Sequence, residues 1–157
     1  MSDYKGKEGL GGWLILVAFK LVTTPILMFL QVGEFTTIFE DGTWEQLTTP
    51  SSEYYHSLWG IVIFGEIVLN IGLVILSFVL LYKFFRKSRS FPSWFIFGLI
   101  FHCAFLFIDA LAIKLVLPSE PMFDPDTTKD FGKAVASAII WIPYMLISKR
   151  VKNTFVR

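Results

Sequence analysis

The sequence predicts an all-α membrane protein, a four-transmembrane-helix antiparallel bundle with N- and C-termini in the cytoplasm. Three observations carry that reading. The chain is 54% hydrophobic, with 17 phenylalanines in 157 residues, a composition rare in a soluble domain of this size. Its apolar residues fall into four long runs, about 13–32, 58–82, 94–117 and 133–148, and at about 1.5 Å per residue the longer runs cross a hydrocarbon core of about 30 Å. The segments between the runs separate charge by sign. Lys5, Lys7, Lys83, Arg86, Lys87, Arg89, Lys149, Arg150, Lys152 and Arg157 fall on one side, against only Lys129 and Lys133 on the other. Excess Lys and Arg mark the cytoplasmic side, so both termini lie inside and the number of spans is even.

The first span starts at Trp13, suited to the inner interface, and contains Pro25, which removes a backbone donor and is expected to kink the helix. Thr23 and Thr24 are the side chains available to the freed carbonyls. Lys20 lies near mid-depth and shares a polar stripe with Thr24 and Gln31. The segment 33–57 holds Glu34, Glu40, Asp41, Glu45 and Glu53 without one Lys or Arg, so it is an exterior loop. Asp41-Gly42 between β-prone residues signals a type I′ hairpin, with a loop lying on the headgroups as the alternative. Thr49-Pro50 resembles an N-cap and first helical residue, which would start the second helix outside the membrane, with Tyr54, Tyr55 and Trp59 as an aromatic belt.

Glu66 and Asn70 lie one turn apart on the second span. The basic loop 83–93 is cytoplasmic, and Phe91-Pro92 precedes the third span. That span carries His102, Asp109 and Lys114, although an ionisable group at mid-bilayer costs on the order of 3 kcal/mol. Lys114 is near the outer end and snorkels. The acidic, proline-rich segment 118–132 is the second exterior loop. Ser137, Trp141, Tyr144 and Ser148 give the fourth span a polar-aromatic face expected to look inward, and the basic tail 149–157 is expected to lie on anionic lipid through Val151 and Phe155.

Counted along the helices, Glu66 and Asp109 share a depth roughly 6 Å outward of the midplane, and Lys20 and His102 share one roughly 3–5 Å inward. The expected cluster between helices is therefore Lys20, Glu66, Asn70, Asp109 and His102, with Lys20 paired to Glu66 or Asp109. One reading of it is structural, an ion pair plus an amide that hold four apolar helices in register. The other is a proton- or ion-linked path in which a carboxyl takes up a proton and His102 relays it.

Catalytic and metal motifs are missing from the sequence. There is no HExxH, GxSxG, phosphate loop or paired-carboxylate metal motif. Cys103 is the only cysteine, and on a helix it points about 100° away from His102, so the two do not readily share a proton. No enzyme activity, no cofactor and no metal is expected.

Two stretches are distinctive. Gly9-Leu10-Gly11-Gly12-Trp13-Leu14 with Pro25, and Ile142-Pro143-Tyr144 followed by Ser148-Lys149-Arg150-Val151-Lys152-Asn153-Thr154-Phe155, resemble a bacterial family of four-span inner-membrane proteins, domain of unknown function twenty-five sixty-nine. The resemblance covers essentially the whole chain in layout and implies fold and location, the bacterial inner membrane, without an activity. Physics reads its end motifs as interfacial anchoring and helix start and stop, with partner docking as the alternative. The expected partners are the bilayer, anionic lipid at the cytoplasmic face, and either a second copy or another membrane protein; nucleic acid is not among them. The expected role is a non-enzymatic accessory or binding protein, the alternative a small transporter or channel-like component.

Overall fold

In hydrocarbon each backbone N–H and C=O has to be satisfied within its own segment, which a helix does alone, and the four apolar runs are helical. The structure is a computed structural model describing residues 8–157, with the side chains of residues 31–35 outside the description. The expected inner charges Lys5 and Lys7, and the Gln31 side chain on the polar stripe, thus lie outside the described residues. The elements are α1 (Trp13–Glu40), α2 (Thr43–Thr48), α3 (Trp59–Phe85), α4 (Phe91–Val116), α5 (Pro125–Ile147) and α6 (Lys149–Thr154). Helices α1, α3, α4 and α5 are each long and apolar enough to span a membrane, and the described residues contain no strand. The protein is a multi-pass membrane protein.

Several boundaries differ from the sequence expectation. Helix α1 passes through Pro25 and on to Glu40, so much of the expected loop 33–57 is helical. The hydroxyls of Thr23 and Thr24 donate to the carbonyls of Phe19 and Lys20, and not to that of Leu21, the one an i→i−4 count leaves without a donor at Pro25. Asp41-Gly42 makes no hairpin. Gly42 has φ +82° and is the N-cap of α2, while an Asp41 carboxylate oxygen accepts the Thr43 N–H at 2.9 Å. The residue types that favour a primed turn here join two helices instead. Trp44 of α2 then packs against Phe39 and Phe64, ring centroids 5.3 Å from each. Thr49 is the C-cap of α2, not the N-cap of the next helix, which begins at Trp59.

The fourth span starts earlier than 133. Asp124 caps α5 and Pro125 is its first residue, a capping oxygen followed by a residue whose missing N–H costs nothing there. The tail is helical, as the one-turn spacing of Val151 and Phe155 suggests: Ser148 caps α6 through the Val151 N–H.

Leu14, Val17 and Leu21 of α1, Leu80 and Phe84 of α3, Phe91, Phe95 and Leu99 of α4, Met145 of α5, and Val151 and Phe155 form one buried cluster. The first turns of α1 and α4 thereby meet the last turns of α3 and α5. Val151 and Phe155, expected on lipid, are 1% and 4% exposed. The cause is local: the Phe155 ring stacks on Phe91, and the Arg89 N–H donates to Arg157 O while the Arg157 N–H donates to Lys87 O. The tail closes the end of the bundle. Away from this core the helix surfaces stay apolar and open, Phe29 being 76% exposed, as a lipid-facing surface is.

Candidate functional site

The polar residues inside the bundle form two groups, not one cluster. In the first, Lys20 of α1 projects to α5, where its Nζ donates to Ser137 Oγ at 2.5 Å. Lys20 lies one residue before buried Leu21, about 100° round the helix, which turns it to the flank of the packed stripe. His102 and Cys103 of α4 are within Coulombic range of it. The ion pair expected between Lys20 and Glu66 or Asp109 is not formed; among the described residues the ion pair present is Lys133–Asp130 at 2.8 Å, on the exposed start of α5.

The second group is acidic. Glu66 of α3 and Asp109 of α4 are half-buried and within Coulombic range of one another, and no hydrogen bond or ion pair to a described residue holds either carboxylate. Asn70 does not join helices: its Nδ2 donates to the Glu66 carbonyl at 2.9 Å, within α3. Asp109 also lines a pocket of about 200 Å³ with Ile113, Leu117, Glu120, Asp124 and Thr127. The pocket lies under the α4–α5 connection, so Asp109 faces that loop. Lys114 donates to the carbonyls of Pro118 and Glu120 at 2.7 and 2.8 Å, tying the same loop to the end of α4. The Thr127 N–H bonded to Asp124 at 2.7 Å holds that exposed carboxyl below its ordinary range.

The two end motifs meet each other. Thr154 Oγ1 donates to the Gly9 carbonyl at 3.2 Å, and the Arg150 guanidinium fills the space a side chain at Gly11 would take: a Cβ there would sit 2.8 Å from Nη1, whereas one at Gly12 would make ordinary contact at 3.5 Å. Trp13 meets Trp141 edge to face at 6.2 Å, and Trp141 meets Tyr144 likewise at 5.8 Å. Pro143 lies exposed within α5, Ser148 caps α6 and Lys149 is exposed at its start. Pro25 is buried in α1.

Sequence reasoning placed Ser137 on an inward face without joining it to Lys20. The available signal was depth counted from the same end: Lys20 lies about 10 Å from Trp13 and Ser137 about 16 Å from Ser148, a difference that a lysine stem spans. It gave no sign of Glu120 and Asp124 beside Asp109, because that proximity depends on how the loop folds back. Among the described residues no group of three or more His, Cys, Asp or Glu is arranged to hold a metal ion.

No curated protein and no solved structure matches the chain. A family model matches residues 7–156, nearly its full length and both end motifs. The chain belongs to the family described as protein of unknown function (DUF2569).

Proposed function

We propose that this is a non-enzymatic accessory or binding protein of the bacterial inner membrane, an antiparallel four-span bundle with both termini in the cytoplasm. The observation that carries the role is the meeting of the end motifs. Gly11 leaves room for the Arg150 guanidinium and the Gly9 carbonyl accepts from Thr154, so the residues of the family resemblance build a closed, basic protein end and leave exposed Lys149 and Lys152 for a partner. The orientation is supported by the core, where starts of α1 and α4 meet ends of α3 and α5, and by the basic residues that cluster at this end. Crosslinking in cells followed by affinity purification and mass spectrometry tests the role: a stable foreign membrane protein is the expected result, and a chain recovered only with itself overturns it. Terminal reporter fusions test the topology, both being active in the cytoplasm.

A second reading, a small transporter component, is favoured by one observation. Asp109 lies between a pocket and Glu66, and neither carboxylate is committed to a cation, an arrangement available for ion or proton uptake. Proton flux in proteoliposomes decides it: flux unchanged by both Asp109→Asn and Glu66→Gln removes this reading.

A further inference from the structure

The last turns of α3 carry an open groove. Phe78, Tyr82 and Phe85, at i, i+4 and i+7, are 57%, 65% and 57% exposed. With Leu81 they line a shallow depression of about 430 Å³ that ends at Arg86. From Phe78 to Arg86 the helix rises about 12 Å, most of one leaflet's share of a hydrocarbon core about 30 Å thick. The wall is apolar along its length and cationic at its end.

The Arg86 guanidinium lies 5.9 Å from the Tyr82 ring centroid, and its charge has no carboxylate partner among the described residues. Neither 67–108 nor 131–157 contains an Asp or Glu, so the ends of α3 and α5, the start of α4 and α6 bring bases only, Lys87 and Arg89 among them; Glu8, which precedes α1, makes no ion pair with a described residue. Lys83 differs, being engaged by Ser90 Oγ at 2.8 Å and by the Trp94 ring. An occupant has to be apolar for about 12 Å and anionic where the helix leaves the hydrocarbon. A second copy of this chain fits poorly, because a two-fold contact through this face would set one basic end against another.

We infer that the end of α3 is a binding site for an anionic phospholipid, its acyl chain lying along Phe78, Tyr82 and Phe85 and its phosphate at Arg86. The site rests on α3 spanning the membrane and is independent of the accessory role and of the topology above. The full chain, stripped of lipid in detergent, is titrated with phosphatidylglycerol or phosphatidylcholine and bound lipid is counted by native mass spectrometry. Retention of phosphatidylglycerol over phosphatidylcholine is expected, with binding weakened roughly fivefold by Arg86→Gln, the loss of one basic group at a lipid surface. Phe85→Ser, on the exposed face, is expected to weaken it as well. Lys129→Gln, which removes an equal charge from the exposed start of α5 at the opposite end of the bundle, leaves it within about twofold. Equal loss in Lys129→Gln, no preference between the two lipids, or a protein dimer in place of bound lipid overturns the site.

Discussion

Phe155 stacks on Phe91 with ring centroids 4.5 Å apart and an interplanar angle of 27°. Phe84 completes the group, 5.1 Å from Phe91 and 5.7 Å from Phe155. The C-terminal tail is therefore part of the core shared by α1, α3, α4 and α5, and cutting it opens the bundle. Phe155→Ala removes a ring that is 4% exposed, for which a cost of about 3 kcal/mol is expected. Thermal unfolding in detergent reads it, and limited proteolysis reads the freed tail. An unchanged midpoint would mean that the tail lies on the bundle without supporting it.

Gly11 and Gly12 differ in what they forbid. At Gly12 the backbone is at φ +61°, ψ −136°, a region essentially confined to glycine, so Gly12→Ala is expected to cost about 1–3 kcal/mol. Asn does not rescue it, since asparagine tolerates the left-handed helical region and not this one. Gly11→Ala meets only the end of the Arg150 side chain, which can move. Its cost is expected to be small and to vanish in an Arg150→Ala background, a non-additivity that a double-mutant cycle measures.

Length, hydrophobicity and charge made the four spans legible, because crossing a membrane is itself a matter of length, hydrophobicity and charge. Counting 1.5 Å per residue groups Glu66 with Asp109 and Lys20 with His102, and the members of each pair lie within Coulombic range of one another. Rotation was not legible. Which way Lys20 points depends on how α1 rolls against α3 and α5, and the stripe of Lys20, Thr24 and Gln31 names a face of α1 but, among near-uniform apolar neighbours, not the helix that face meets. The same uniformity hid the fate of Val151 and Phe155: an apolar pair one turn apart looks alike whether it meets lipid or Phe84 and Phe91. Asp124-Pro125 was a readable start for α5, but an acidic stretch marks exterior position and helix start equally well.

The Lys20–Ser137 bond predicts an asymmetry between single and double changes. Ser137→Ala leaves a half-buried ammonium without its acceptor, with an expected loss of about 1–3 kcal/mol. Replacing both ends, Lys20→Met with Ser137→Ala, removes the need for the bond and is expected to be nearly neutral. Unfolding midpoints of the two variants in the same detergent test this. A double variant worse than Ser137→Ala would show that Lys20 has a further partner.

Asp124 sets the pH response of the start of α5. Its carboxyl is held below the ordinary value of 3.8 by the Thr127 N–H, so the folded form is favoured by the ionised acid. The contribution is fully present above that ordinary value and is lost as pH falls through the lowered one. Hydrogen exchange at Thr127 and Thr128 is therefore expected to be pH-independent in protection from pH 7 down to the ordinary carboxylate range and to rise below it. Asp124→Ala is expected to show the faster exchange already at neutral pH, parent and variant converging as pH falls through the lowered value.

Glu66 and Asp109 bring like groups together across α3 and α4 without a cation to offset them. Two carboxylates within Coulombic range of one another in a partly buried setting repel by an amount on the order of 1 kcal/mol. Asp109→Asn keeps the shape and removes that repulsion, so the variant is expected to be at least as stable as the parent at neutral pH, while Glu120→Gln at the exposed rim of the same pocket changes little. The comparison separates the two roles a buried acid can have. If Asp109→Asn unfolds earlier, the carboxylate holds the fold and an ion path gains nothing from it. If it unfolds later and proton flux falls together, the pair is kept at the expense of stability, as residues retained for activity commonly are.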